Sequence, residues 1–474
     1  MTNLDFLCLA PYQIIATAPI VIMLAITISR NYKVIYGFSL FMLLAAFTSL
    51  FYIAPVVPHQ IEPLFVIDQF SLLFLGVIFF ITALILIISY MYFKEHGGER
   101  EEYFIILFVA TLGASILVAA NHFVTFFLGL EMLSISLYVL IAYLKNRDYS
   151  VEASVKFLVV ASVSTAFLLF GMALIYAATG SMSFKGVAMA FSSSLVSSPI
   201  LLIGFGMLLS GIGFKLALVP FHMWAPDVYQ GAPAPVTAFI ATISKGAILA
   251  ITIRLFYAIF GFQNNVFIIV ISAIAILSMF IGNLLALKQT NFKRLLAYSS
   301  IAHMGYLLIT LLAGTVYGIQ AALFYLISYM ITSLGAFGVI SILSVSEHDA
   351  DNIEDHKGLF WRNPWIAIVL SLTLFSLAGI PLTAGFIAKF YLVLAGLKSG
   401  LWILAFSLVI NSVVSLYYYL SVIKAMFTPS ETTTKIKLSL IAIFVLAIIV
   451  IGILFLGILP SFLTEVIGHF SSIN

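Results

Sequence analysis

Residues 213–224 read GFKLALVPFHMW, and residues 376–390 read SLAGIPLTAGFIAKF. Each places a proline inside an apolar run long enough to cross a bilayer, which takes about 20 residues. Proline removes a helix hydrogen bond and clashes with the carbonyl four residues earlier, here those of Leu216 and Leu377. Freed backbone at membrane depth is tolerated only inside protein or along a wet cavity. Each break also has a lysine nearby: Lys215 lies five residues before Pro220, and Lys389 eight after Pro381. Interrupted helices at corresponding places in two halves of a chain point to a transport site.

The rest of the chain agrees with a membrane setting. Of 474 residues, 63% are hydrophobic and 8% charged, against about 25% charged in a soluble domain. This is the composition of an all-α polytopic membrane protein. Fourteen apolar runs of spanning length can be counted, bounded by charged or turn-like stretches such as EHDADNIEDHKG (347–358). They group as a three-helix segment (1–103), a five-helix unit (104–264), a second five-helix unit (265–428) and a final helix (429–474). Five is odd, so two adjacent copies run in opposite orientation. The expected fold is fourteen transmembrane helices with two inverted five-helix repeats, helices seven and twelve being broken.

Loop charge sets the orientation. Alternate loops carry fourteen lysines and arginines, and the opposite set carries Lys185 and Lys398. Basic loops stay on the inner side, so both termini are expected outside. The first apolar stretch lacks a basic leader and a small-residue cleavage site, and reads as a retained helix. The lone Cys8 excludes a disulfide framework or cysteine-ligated cluster within this chain. The eight histidines show no metal spacing, and no nucleotide-binding glycine motif is visible. Lipid and other membrane proteins are therefore the expected partners, not nucleic acid.

Ionisable groups inside the spans carry the chemistry: Glu131, Lys156, Lys215, Lys245 and Lys389. Each costs at least about 2.5–3.5 kcal/mol to insert. A buried lysine gives up its proton far more readily than one in water, so a row of them with one carboxylate reads as a proton path. Glu131 and Lys215 are expected to form an ion pair. His222, after the break in segment seven, and His303, in AYSSIAHMGYLL, are candidate relays, because imidazole takes a proton on one nitrogen and releases one from the other. Ser134, Thr242, Ser244, Tyr298 and Ser300 stand beside them as candidate supports for water chains. The plainer readings are interhelical anchoring for the deep groups, snorkelling for Lys156, and a structural anchor for Arg254.

Three stretches carry a family resemblance: KLALVPFHMWAPDVYQGAPAPVTAFIATISK (215–245), QTNFKRLLAYSSIAHMGYLL (289–308) and SLAGIPLTAGFIAKF (376–390). The chain resembles the antiporter-like membrane subunits of respiratory complex I, the proton-translocating NADH:quinone oxidoreductase of the bacterial inner membrane. The resemblance implies a proton channel built from Glu131 on helix five, Lys215 and Lys245 on helices seven and eight, and Lys389 on broken helix twelve. Lys156 matches a further lysine on helix six. It implies no cofactor on this chain, with FMN, iron–sulfur clusters and quinone on other subunits, and flanking K-like and M-like subunits. The L-type subunit continues into a long lateral helix, and the M-type has glutamate where this chain has Lys389, so the third type fits best. The alternatives are a subunit of a multi-protein sodium/proton antiporter, which shares these helices, and a scaffold that moves no protons.

Overall fold

The computed structural model describes residues 2–95, 100–192, 199–259, 265–344, 348–429 and 435–470. Nearly all of this is helix. The long helices are α1 (Ala10–Ile28), α2 (Tyr32–Ile53), α3 (Gln69–Glu95), α4 (Glu102–Ala119), α5 (Phe123–Ile141), α6 (Asp148–Thr179) and α7 (Pro199–Leu216). They continue as α8 (Ala234–Ile259), α9 (Asn265–Ala286), α10 (Phe292–Ala313), α11 (Val316–Leu343), α12 (Pro364–Ala378), α13 (Ala384–Lys398), α14 (Trp402–Phe427) and α15 (Leu440–Ile458). Among the described residues thirteen helices are long and apolar enough to span a membrane, α12 and α13 being shorter.

Local chemistry starts and stops these helices. Asn291 caps α10 through Arg294 N at 3.0 Å, Thr315 caps α11 through Gly318 N at 3.1 Å, and Asn363 caps α12 ahead of Pro364. Such side chains satisfy amide donors that the first turn leaves free. Gly379 ends α12 with φ at 86°, a conformation glycine adopts without strain.

The connections sort to two ends. At one, Arg30 pairs with Glu102 at 2.7 Å and Asn363 donates to the Ile436 carbonyl at 2.9 Å. At the other, Phe65 bridges Ala120, His122 bridges Ser183, and Tyr257 donates to the Thr315 carbonyl at 2.9 Å. The second end also holds a hairpin of His59–Ile61 against Phe65–Ile67, and a short helix, Asn3–Cys8, tied by Asp5 to His59 at 2.6 Å. The helices α8 and α10 are almost entirely buried, whereas only about a third of the central stretches of α6 and α9 is. So the axis of the bundle is made of α8 and α10, and its flanks are apolar surface.

Several elements differ from the sequence expectation. Segment seven ends as a helix at Leu216. Residues 217–223 form the break, and Trp224–Gly231 is a separate short helix. The carbonyl that finds a side-chain donor there is that of Phe214, which accepts from Trp224 Nε1 at 2.9 Å, not that of Leu216. Segment twelve is split into α12 and α13 by 379–383, and the carbonyl taken up is that of Ala378, not Leu377. The short helices Phe184–Ser192 and Pro460–Phe470 were not expected, and neither was the hairpin.

A buried line of lysines between hydroxyls and rings

The three deep lysines have one design. Lys215, in the last turn of α7, donates to Ser134 Oγ at 2.7 Å and lies 5.9 Å from the Phe214 ring centre. Lys245, on α8, donates to Ser300 Oγ at 2.6 Å and stands 5.4 Å from the ring of Tyr229. Lys389, on α13, donates to the Ala378 carbonyl at 2.8 Å and to Ser412 Oγ at 2.9 Å, 5.6 Å from the Tyr306 ring. A hydroxyl and a π face stabilise the cation only modestly. Among the described residues none of the three has a carboxylate within salt-bridge distance. A full ion pair would hold the proton. This setting holds a lysine in place without doing so.

Backbone irregularity puts the lysines there. The break after Leu216 lets α7 stop beside α5. Residues Ile240–Ser244 wind as a π-helix immediately before Lys245, a wide turn that is common at functional sites. The end of α12 at Gly379 frees the Ala378 carbonyl for Lys389.

His303 occupies the space between Lys245 and Lys389. Its Nδ1 lies 2.6 Å from the Tyr325 hydroxyl and its Nε2 3.4 Å from that of Tyr419. Tyr329 donates to the same Ser300 oxygen that Lys245 uses, at 2.6 Å. Two small cavities close the remaining gaps. One, of about 10 Å³, is lined by Ser134, Lys215, Ser244 and Lys245. The other, also about 10 Å³, is lined by His303, Tyr325, Thr332, Ser376 and Lys389. Each is near the least volume that holds one water among polar partners. The arrangement therefore brings Lys215, Lys245, His303 and Lys389 into a single buried series.

Three expected site residues sit differently. Glu131 does not pair with Lys215: its Oε1 accepts from Thr165 at 2.8 Å, while Lys215 uses Ser134, one turn further along α5. Glu131 is only partly buried, on a face of α5 where Leu128 and Ile135 are exposed. Lys156 is not deep. Its side chain is 51% exposed and it pairs with Glu152 at 2.6 Å and Asp227 at 3.5 Å. Glutamate one helical turn earlier is a natural i,i+4 partner. His222 is buried in the break at 217–223, and its ring has no hydrogen-bond partner among the described residues. Neither cavity of the lysine series includes it.

Other groups were missing from the sequence reading. The four tyrosines around His303 (Tyr306, Tyr325, Tyr329 and Tyr419) stand on three helices with no motif linking them. At the basic end Asp349 accepts from Lys293 at 2.8 Å, Arg147 at 3.0 Å and Tyr92 at 2.5 Å. Its carboxyl is pushed up by burial, but the Lys293 and Arg147 charges outweigh this and hold it at about 2. At the opposite end Arg254 meets Asp68, so the expected structural anchor has its partner.

Comparison with known proteins adds to this geometry. Residues 120–415 match the family described as NADH:quinone oxidoreductase/Mrp antiporter, transmembrane. A protein of Methylococcus capsulatus (strain Bath) called NADH-quinone oxidoreductase subunit N is 41% identical over 442 residues, which is 92% of this chain and 90% of that protein. A chain in the structure of respiratory complex I from Thermus thermophilus with bound aureothin is 30% identical, with a TM-score of 0.84 over 96% of this chain and 98% of that one. A chain of the Mrp complex from Dietzia sp. DQ12-45-1b has a TM-score of 0.87 at 21% identity, covering 99% and 97%, which is a likeness of fold.

Proposed function

Since the chain belongs to the NADH:quinone oxidoreductase/Mrp antiporter family of membrane subunits, we propose that it moves protons along Lys215, Lys245, His303 and Lys389 as subunit N of complex I. The observation that carries this reading is the shared setting of the three lysines. Each is buried, each is held by a hydroxyl and a ring, and among the described residues none is paired with a carboxylate. Such a lysine can exchange its proton when a neighbouring charge appears or leaves, because Coulomb terms are large at low dielectric.

Transfer runs between neighbours. Lys215 passes its proton through the small cavity to Lys245. Lys245 passes it by Ser300 to His303, whose two nitrogens face opposite hydroxyls, and a second cavity leads to Lys389. Glu131, one turn from Ser134 on the open face of α5, senses charge across the subunit boundary and tunes Lys215 through Ser134 and Thr165. Lys156, exposed and already paired, serves as a surface contact near the start of the path.

Counting α12 and α13 as one broken pass gives fourteen crossings, with the units 104–264 and 265–428 as inverted repeats. The basic end faces the cytoplasm and both termini lie outside, in the inner membrane of a bacterium. Other complex I subunits flank the chain, K-like on one side and M-like on the other. The FMN, the iron–sulfur clusters and the quinone site belong to other subunits of the complex, so this chain contributes translocation and not electron transfer.

The test is Lys389→Arg in the assembled complex reconstituted in vesicles. Guanidinium keeps the charge but does not release its proton near neutral pH. Proton pumping should fall towards that of Lys389→Ala. Retention of most wild-type pumping by Lys389→Arg would show that Lys389 supplies fixed charge and would overturn the reading.

A further inference from the structure

Polar groups at membrane depth are costly and gather where ions move, yet the lysine series uses only part of those buried here. A second polar cluster fills the seam between α9, α10 and α14. Asn283 Nδ2 donates to the Tyr306 hydroxyl at 3.0 Å and to Asn411 Oδ1 at 3.2 Å, and its Oδ1 accepts from Tyr418 at 2.8 Å. Beside it the Tyr419 hydroxyl is bonded to that of Ser299 and reaches His303 Nε2 at 3.4 Å. Asn283, Ser299, Tyr306, Asn411, Tyr418 and Tyr419 are each no more than 2% exposed.

The cluster has a direction. Gly282 packs against the backbone of Tyr298 and Ala302, so Asn283 lies level with Ser299. Ser299 is seven residues, or about 10 Å of helix rise, from the start of α10 at the basic end. His303 is one turn deeper. Two strings therefore run from the His303–Lys389 region towards the basic end, Tyr306–Asn283–Tyr418 and His303–Tyr419–Ser299. Beyond them is an open cavity of about 630 Å³ whose lining includes Thr290, Asn352, Asp355, Ser421 and Lys424. Ser421 donates to the Tyr418 carbonyl at 2.7 Å, so the cavity reaches within one helical turn of the strings.

We propose that this seam is a proton inlet of the second half, loading His303 from the basic face without passage through Lys215 or Lys245. The inference rests on the reading of the lysine series as a proton path. A hydronium reaching Ser299 gives its proton to Oγ as the Ser299 hydrogen moves to the Tyr419 oxygen and the Tyr419 hydrogen moves to His303 Nε2. One O–H bond forms and one breaks at each hydroxyl, so both end neutral, and His303 holds the positive charge with Nδ1–H directed at Tyr325. Asn283 is a positioning residue. Its amide does not pass protons on near neutral pH, and it fixes Tyr306 and Tyr418 on the two walls of the seam.

The experiment uses the full complex in inside-out membrane vesicles, with Cys8→Ser as background. Tyr419→Phe keeps the ring and removes the hydroxyl. It should assemble normally and slow proton pumping by about tenfold or more, because the hydroxyl that hands the proton from Ser299 to His303 is gone. Ser299→Cys should react with a small cationic methanethiosulfonate added at the basic face, which helix packing alone does not allow. Wild-type pumping by Tyr419→Phe, or a Ser299→Cys that reacts only from the opposite face, overturns the inlet. Lys389→Met separates the two ideas. If it pumps normally the whole path fails, whereas if it is inactive while Tyr419→Phe is normal only the inlet fails.

Discussion

Arg254 and Asp68 face each other through two parallel hydrogen bonds of 2.8 Å each, with side-chain exposures of 1% and 0%. Asp68 also accepts from Ser71 N at 2.9 Å at the start of α3, and the guanidinium lies 5.2 Å from the Phe70 ring. The pair thus joins the first three-helix segment to α8, the helix that carries Lys245. Planar two-point pairing is what arginine does and lysine cannot.

Removing one partner should strand the other charge in the interior, at a cost of about 3–5 kcal/mol. Asp68→Ala and Arg254→Ala should each sharply lower the amount of assembled complex on native gels. The double variant Asp68→Leu with Arg254→Met should recover much of it, since no lone charge remains. A double variant that assembles worse than both singles would mean that the pair contributes more than its charges cost.

Glu131 and Lys215 are held by separate hydroxyls, so charge and hydrogen bonding can be told apart. Glu131→Gln keeps an acceptor for Thr165 and loses the charge. Pumping by the assembled complex should fall nearly as far as in Glu131→Ala, while Thr165→Val should have a smaller effect, about the worth of one hydrogen bond. Wild-type pumping in Glu131→Gln would remove the charge from the mechanism.

Gly379 is a sensitive neighbour of Lys389. Its φ is 86°, and a Cβ there would lie 2.9 Å from Lys389 Cδ. Gly379→Ala adds about 1–2 kcal/mol of backbone strain and pushes the lysine off the Ala378 carbonyl. Gly400 has a similar φ of 74° but open space around it. Pumping should drop in Gly379→Ala and survive in Gly400→Ala.

Asp349 gives an acid-sensitive contact. Its folded pKa, about 2, lies below the usual aspartate value of 3.8, so the unfolded chain binds the proton more readily. The stabilisation is therefore fully present above about pH 4 and is lost as pH falls towards 2, and it amounts to about 2 kcal/mol. Pepsin cleavage within 348–358 should rise steeply across that window in the wild type. In Asp349→Asn it should already be high at pH 4.

Orientation is testable with cysteines at described, exposed positions. Glu354 lies at the basic end and Glu465 on the final short helix, while Cys8 is buried; Ser472 lies outside the described residues. An impermeant thiol reagent on intact cells should label Glu465→Cys and spare Glu354→Cys. The reverse would invert the path.

The two breaks and the deep lysines were legible because proline and charge inside an apolar run each carry a large energetic cost, visible in a single segment. The partners of those lysines were not. Ser134, Ser300 and Ser412 are ordinary packing residues until three-dimensional proximity selects them. The π-turn before Lys245 leaves no trace in IATIS. Nothing in the sequence singled out Asp68, or Asp349 within EHDADNIEDHKG, because their cations lie 186 and 56 or more residues away. Glu131 looked central by its place along α5, but rotation about the helix, which linear depth does not reveal, puts it towards the open side.

Asp349 joins α3 through Tyr92, α6 through the Arg147 that precedes it, and α10 through Lys293. Those helices come from all three major sections of the chain, and Arg254 with Asp68 bolts two of them again at the far end. A rocker-type carrier, which tips one bundle against another to expose its cargo, would have to pull apart buried charges on every stroke. Buried charge pairs that clamp both ends resist such a stroke, whereas the proton path proposed above asks for none of it.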